Sequence, residues 1–105
     1  MYLYLKKVIG KENFTRQPEF VLQDKFRLDG KAIRAIKYVA DFLVKDGDND
    51  IVVDAKGMTT PVFKLKEKLF KYKFRKSIVL LKTKKDMRAF ALSLKHIKLK
   101  IPLEK

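Results

Sequence analysis

The 105-residue chain has no cysteine and one histidine, His96. The first absence excludes disulfides, cysteine-ligated zinc and thiol catalysis, and makes the cytoplasm the expected setting. The second excludes a histidine-built metal site, so His96 reads as a partly exposed surface residue. Four glycines and three prolines supply neither a flexible linker nor a glycine-rich phosphate cradle. No apolar run approaches the roughly 18 residues of a membrane span. Residues 1–9 interleave lysines with apolar residues and carry no small-residue cleavage site, so no signal peptide is read there. A Ser/His/Asp set is missing as well.

Acidic residues are scarce in one half only. Residues 60–105 hold 15 Lys/Arg against 3 Asp/Glu, whereas residues 1–59 hold 11 against 9, within a net charge of +14. A positive field concentrated in one half favours a polyanionic partner, nucleic acid first and an anionic membrane surface second. No extended amphipathic segment with bulky interfacial aromatics supports the membrane. The plainer alternative is a basic surface that serves solubility. An apolar fraction of 47% marks a folded chain, and its length suits a single domain over residues 1–105.

The pattern along the chain predicts a helix over residues 1–9. A half-buried strand follows over 20–28, with Phe20, Leu22, Phe26 and Leu28 on one face, and then an Asp29-Gly30 turn. A long strand is expected over 34–44, with Ile36, Tyr38, Ala40, Phe42 and Val44 on one side. Residues 46–50 read as an acidic hairpin loop and 51–56 as the next strand. Thr60-Pro61 is a helix start, with a helix to about Phe74 whose inward stripe is Val62, Leu65, Leu69 and Tyr72, widened by Phe63 and Phe70. Residues 77–81 form a buried strand. Thr83 to Asp86 resembles a capping box for a last helix that turns Met87, Phe90, Ala91 and Leu94 inward. Residues 97–101 alternate once more. The order is an α/β sandwich around a small mixed sheet.

Two acidic constellations stand out. Asp46, Asp48 and Asp50 have the spacing of a calcium loop, but Ile51 occupies the position that needs glycine and Gly57 the one that needs glutamate, so a solvated turn is the better reading. Asp41, Asp54 and Lys56 are different. Asp54 and Lys56 stand two apart on one strand and project from the same face. A hairpin closed by residues 45–50 sets Asp41 nearly opposite Asp54. Two carboxylates so placed repel unless a cation lies between them, and Mg²⁺ is the natural occupant. Lys56 could then orient or help deprotonate a water. A strand-end salt bridge of Asp54 with Lys56 or Lys37 is the structural alternative. Beyond them Lys64, Lys68, Lys71 and Arg75 form a stripe on the following helix, opposed only by Glu67, and Thr59 and Thr60 add hydroxyls at the helix N-terminus; together they suit phosphate contact.

Over residues 20–74 the sequence resembles a small phage-encoded family of the PD-(D/E)XK nuclease superfamily, phage endonuclease-like with a resolvase-type fold. The resemblance lies in "RQPEFVLQ", "IKYVADFLV" and "IVVDAKGMTTPVFKLKEKLF". It implies an α-β-β-β-α-β core with a C-terminal helix. It makes Asp41 the motif aspartate, Asp54 the D/E and Lys56 the lysine of a Mg²⁺- (or Mn²⁺-) dependent endodeoxyribonuclease. The setting it implies is DNA recombination or replication in the cytoplasm of a bacterial host. Relatives generally carry a longer first helix with an acid that can join the metal site. Here the first helix is shortened, and the first acids of the chain are Glu12 and Glu19. A catalytically inactive nuclease fold that binds DNA, or a host replication or defence protein, is the alternative. A shortened helix also leads one to expect Tyr2, Leu3 and Leu5 to be uncovered and to form a homodimer contact.

Overall fold

The computed structural model describes residues 1–55 and 59–103. Its elements, in chain order, are α1 (Tyr2–Val8), a 3₁₀ turn (Lys11–Asn13), β1 (Phe14–Arg16), β2 (Glu19–Gln23), β3 (Phe26–Leu28), β4 (Lys31–Ile33), β5 (Ile36–Val39), β6 (Phe42–Asp46), β7 (Asn49–Ala55), α2 (Pro61–Phe74), β8 (Ile78–Leu81) and α3 (Lys84–Ser93). The architecture is mixed α/β. Its main sheet has the order β1-β6-β7-β8, antiparallel except for the parallel pair β7 and β8, which α2 connects. β2 pairs with β5 in a second ladder, and β3 pairs with β4 in a hairpin that joins no other sheet.

Strand alternation gives the main sheet two cores. Phe42, Val44 and Val53 point to one face, where Leu5, Val8 and Ile9 of α1, Phe90 and Ala91 of α3, and Ile97 close over them. Val52 and Ile78 point to the other, where Phe63 and Phe70 of α2 meet Leu22, Tyr38 and Ala40 of the β2–β5 ladder. The expected strand over 34–44 is therefore two strands. Ile36, Tyr38 and Ala40 serve the α2 face, while Phe42 and Val44 serve the α1/α3 face. The chain changes layer at Ala40-Asp41, and that step is held by Ala40 N–H donating to the Pro18 carbonyl (3.1 Å) and Gln17 N–H to that of Asp41 (2.8 Å).

The strand expected over 20–28 is likewise broken, into β2 and β3, with Phe26 and Leu28 exposed instead of sharing a core face with Leu22. The acidic loop is a two-residue turn at Gly47-Asp48, so Asp46 ends β6 and Asn49 begins β7. Gly47 has φ 65° at the first central position of the turn, where a side chain would also collide with the His96 ring. Residues 97–101 alternate in burial without joining a ladder. Ile97 is buried, Leu99 and Ile101 pack beside it, and Lys100 N–H donates to the Val8 carbonyl at 2.6 Å.

Both helix starts follow their capping residues. Thr60 Oγ1 accepts from Phe63 N–H (3.1 Å) with Pro61 at the first helical position. Thr83 and Asp86 exchange hydrogen bonds of 3.1 Å as a full capping box. The inward face of α2 is only part of the expected one, with Leu69 packed beside Phe63 and Phe70. Phe63 and Phe70 are buried, whereas Val62, Leu65 and Tyr72 are 63%, 57% and 72% exposed. The expected apolar strip on α1 also dissolves, because Leu5 is fully buried, Tyr2 packs on the core and only Leu3 is exposed. The apolar basis for a dimer through that helix is thereby removed.

Candidate functional site

β6 and β7 run in the register Phe42↔Val53, and one step further Asp41 comes opposite Asp54. Asp54 faces α2, since it alternates with Val53 and shares the side of Val52, while Asp41 stands just before β6 at the change of layer. The two carboxylates are fixed differently. Asp41 Oδ2 accepts the Ala55 backbone N–H at 2.8 Å, across the frayed end of the ladder. Asp54 is only 2% exposed, and its Oδ2 accepts the Tyr38 hydroxyl at 2.5 Å. A carboxylate so deeply placed requires donors, and the phenol supplies one.

Tyr38 is itself set by rings. It stacks with Phe20 at 6.2 Å between centroids and meets Phe63 and Phe70 at 6.0 and 5.9 Å. Burial and the hydrogen bond to Asp54, reinforced by the charges of Asp54, Asp41 and Glu67, push the phenol far above its usual value. It therefore remains protonated and acts only as donor toward Asp54. Tyr38 carries no motif signature, and its position three residues before Asp41 on an alternating face was the only hint of its role.

A pocket of about 290 Å³ opens beside Tyr38, lined among others by Lys37, Thr60, Phe63 and Lys66. The N-terminus of α2 thus borders the space next to the Tyr38–Asp54 pair, and its dipole favours an anion, although Pro61 has no N–H and those of Phe63 and Lys64 are already taken by Thr60. Thr60 uses an oxygen lone pair for its cap and keeps its hydroxyl proton to donate. Thr59 is half-buried beside it. Lys64, Lys68, Lys71 and Arg75 are all exposed. Among the described residues the side chains of the three lysines make no ion pair or hydrogen bond, while the Arg75 guanidinium lies 5.1 Å from the Tyr72 ring centre. Lys56 lies outside the described residues.

Asp46, by contrast, has a structural task. It is 4% exposed and accepts the backbone N–H groups of Lys95 (3.0 Å) and His96 (2.6 Å), clamping the β6–β7 turn to the segment after α3. Burial raises its carboxyl, but these two bonds, with the charges of His96 and Lys95, outweigh it and hold the group below the usual carboxylate range. The first two acids of the chain are also engaged, Glu12 with Lys100 at 2.8 Å and Glu19 with Lys37 at 3.1 Å. Among the described residues no group of three or more Asp, Glu, His or Cys side chains could hold a metal ion, so such an ion would rely on Asp41, Asp54 and water. That all-oxygen pair suits Mg²⁺, which retains most of its waters and is commonly bound through one or two carboxylates.

A family model described as "Protein of unknown function (DUF1064)" matches residues 1–93, and the chain belongs to that family. No curated protein and no solved structure matches it. Among the described residues no helix is long and apolar enough to cross a membrane.

Proposed function

We propose that this DUF1064 protein is a Mg²⁺-dependent endodeoxyribonuclease of PD-(D/E)XK type, acting on DNA phosphodiesters in branched or recombination DNA. The observation that carries the reading is two carboxylates at one end of the β6–β7 ladder, Asp41 bonded to the N–H of Ala55 and the neighbouring Asp54 buried and held by the Tyr38 hydroxyl. The order of the main sheet supports it: a helix, three antiparallel strands, a helix and a parallel strand, with β2 to β5 inserted after the first strand.

In this reading Asp41 and Asp54 hold the ion, which when bound supplies a Lewis acid for the phosphodiester and an acidified water. The chain's own residues do the rest. Tyr38 holds and aims the Asp54 carboxylate by donating its hydroxyl hydrogen bond to Oδ2. Ala55 N–H fixes the Asp41 carboxylate. Lys56, the lysine of the motif, orients the attacking water and offsets charge on the phosphate. Thr60, the α2 N-terminus and Lys66 receive the phosphate from the pocket side, and Lys64, Lys68 and Lys71 run along the backbone beyond it.

A second reading keeps the DNA surface without the cut. It draws on the commitment of Glu12 and Glu19, the first two acids of the chain, to ion pairs with lysines. One experiment separates the two. The wild type, given Mg²⁺ or Mn²⁺ with linear, single-stranded and four-way-junction DNA, should cut at least one substrate and stop with EDTA. Asp54→Asn should lose roughly 10²–10³-fold in rate, the loss typical of removing one catalytic electrostatic group, while holding DNA as tightly as the wild type. Undiminished cutting by that variant overturns the assignment of Asp54. Binding without cutting on every substrate establishes the second reading.

A further inference from the structure

We infer that the β3–β4 hairpin is a DNA-gripping arm that enters the major groove, a contact separate from the α2 lysines; the inference rests on the DNA-binding reading above. The hairpin is unlike the rest of the molecule. All six of its strand residues are exposed, including Phe26 at 46%, Leu28 at 60% and Ile33 at 37%. Two strands alone are marginal in water, and clustered apolar side chains on a soluble surface mark a contact. The molecule is also drawn out, 58 Å long against 27 and 23 Å across, with a radius of gyration of 16.0 Å. A compact chain of this length would have about 13 Å.

The local chemistry says what the arm takes hold of. Its tip is an Asp29-Gly30 turn with φ of 52° and 76°, the left-handed pair whose twist matches paired strands. The Arg27 guanidinium donates to the Gly30 carbonyl at 3.1 Å and braces that tip. The register Phe26↔Ile33 and Leu28↔Lys31 puts three apolar side chains and one ammonium on one face, with Arg27↔Ala32 on the other. Residues 25–34 carry Lys25, Arg27, Lys31 and Arg34 against Asp29 alone. Among the described residues none of these four cations is in an ion pair. A second copy of the chain is a poor occupant, because two such arms would bring like charges together on molecules of net charge +14.

Duplex DNA answers both features at once. Its phosphates accept the cations at the edges of the ribbon. The major groove, about 12 Å wide, admits a two-stranded ribbon and presents thymine methyl groups to apolar side chains. With about 3.3 Å per residue, residues 25–30 reach roughly 15–20 Å from the ladder, enough to enter the groove while the body sits on the backbone.

The test is fluorescence anisotropy of a labelled duplex with the full chain in Ca²⁺ buffer, over a series of salt concentrations. Replacing Lys25, Lys31 and Arg34 together by Gln, with Arg27 kept as the brace, should flatten the log–log salt slope by up to about 0.9 for each lost phosphate contact. Phe26→Ser with Leu28→Ser should weaken binding several-fold and leave the slope unchanged. Both variants should melt like the wild type, since these side chains lie outside both cores. Wild-type affinity and slope in both variants overturn the arm while the DNA reading stands. A wild type that binds no DNA at all overturns both. Conversion of a wild-type dimer to monomer by the Phe26/Leu28 variant, with DNA binding unaltered, reassigns the arm to self-association.

Discussion

On one face of the four-stranded sheet Leu5, Val8, Ile9, Val44 and Val53 make up most of the core, with Phe14, Phe42 and Phe90 among them; on the other, Phe20, Tyr38, Phe63, Phe70 and Phe74 form a ring cluster whose Tyr38 hydroxyl reaches a buried carboxylate. Aliphatic side chains fill volume and impose little orientation. Aromatic rings have few rotamers and prefer edge or offset contacts, and tyrosine adds a polar tip. The face that must aim a hydroxyl at a buried acid is the face built of rings. Each face holds one tyrosine that makes the contrast plain. The Tyr38 hydroxyl is bonded to Asp54, whereas the buried Tyr4 hydroxyl, on the aliphatic side, has no partner among the described residues.

Removing the central ring is the most damaging way to break this contrast. Phe70 is fully buried and touches Phe20, Tyr38 and Phe74 at centroid distances of 5.1, 5.9 and 4.9 Å. Phe70→Ala should lower stability by roughly 3–5 kcal/mol in urea unfolding. A loss below about 1 kcal/mol, far under that range, would mean that the rings are loosely packed and aim nothing. A finer comparison exchanges each tyrosine for phenylalanine. Tyr38→Phe strips a donor from a buried carboxylate and should cost about 1–3 kcal/mol, while Tyr4→Phe removes an unbonded hydroxyl and should be neutral or slightly stabilising. Equal effects in thermal melts would erase the distinction between the faces.

The smallest expected effect concerns the clamp at Asp46. Its carboxyl titrates lower in the folded chain than the ordinary value of about 3.9. Its contribution is thus complete above that value and lost as pH falls through the lower folded one. Asp46→Asn should cost about 1 kcal/mol at neutral pH, one net hydrogen bond. The gap to the wild type in urea midpoints should narrow below about pH 4, where the carboxyl of the unfolded chain begins to protonate while the folded one is still ionised. A gap independent of pH from 7 to 3 would remove the charge from this account.

What the sequence discloses depends on how local the cause is. The α2 and α3 starts were legible because Thr60-Pro61 and Thr83 with Asp86 act within one turn. The facing of Asp41 and Asp54 was legible because a short turn fixes antiparallel register. The layer change at Ala40-Asp41 was not, because alternation runs unbroken from Ile36 to Val44 and only contacts to Gln17 and Pro18, far back in the chain, hold the break. The inward face of α2 was misjudged in part, for a related reason. Val62, Leu65, Leu69 and Tyr72 make the cleaner helical stripe, but the opposing ladder offers rings, and Phe63 and Phe70 win the interior. Tyr38 gained its role from that same packing, which no spacing announces.

The two faces also differ in how far apart along the chain their parts lie. The α2 face draws on residues 20–80, a nearly contiguous stretch, whereas the other joins Leu5 of α1 to Ile97 and seals with the Lys100–Val8 bond and the Lys100–Glu12 pair. During synthesis at about 5–20 residues per second, the material for the ring face is complete roughly one to four seconds before Ile97 is added. The half that aims Tyr38 at Asp54 closes shorter loops than the half that must bring Ile97 back to Leu5, so loop-closure entropy favours it as the first to assemble, while α1 waits for its cover.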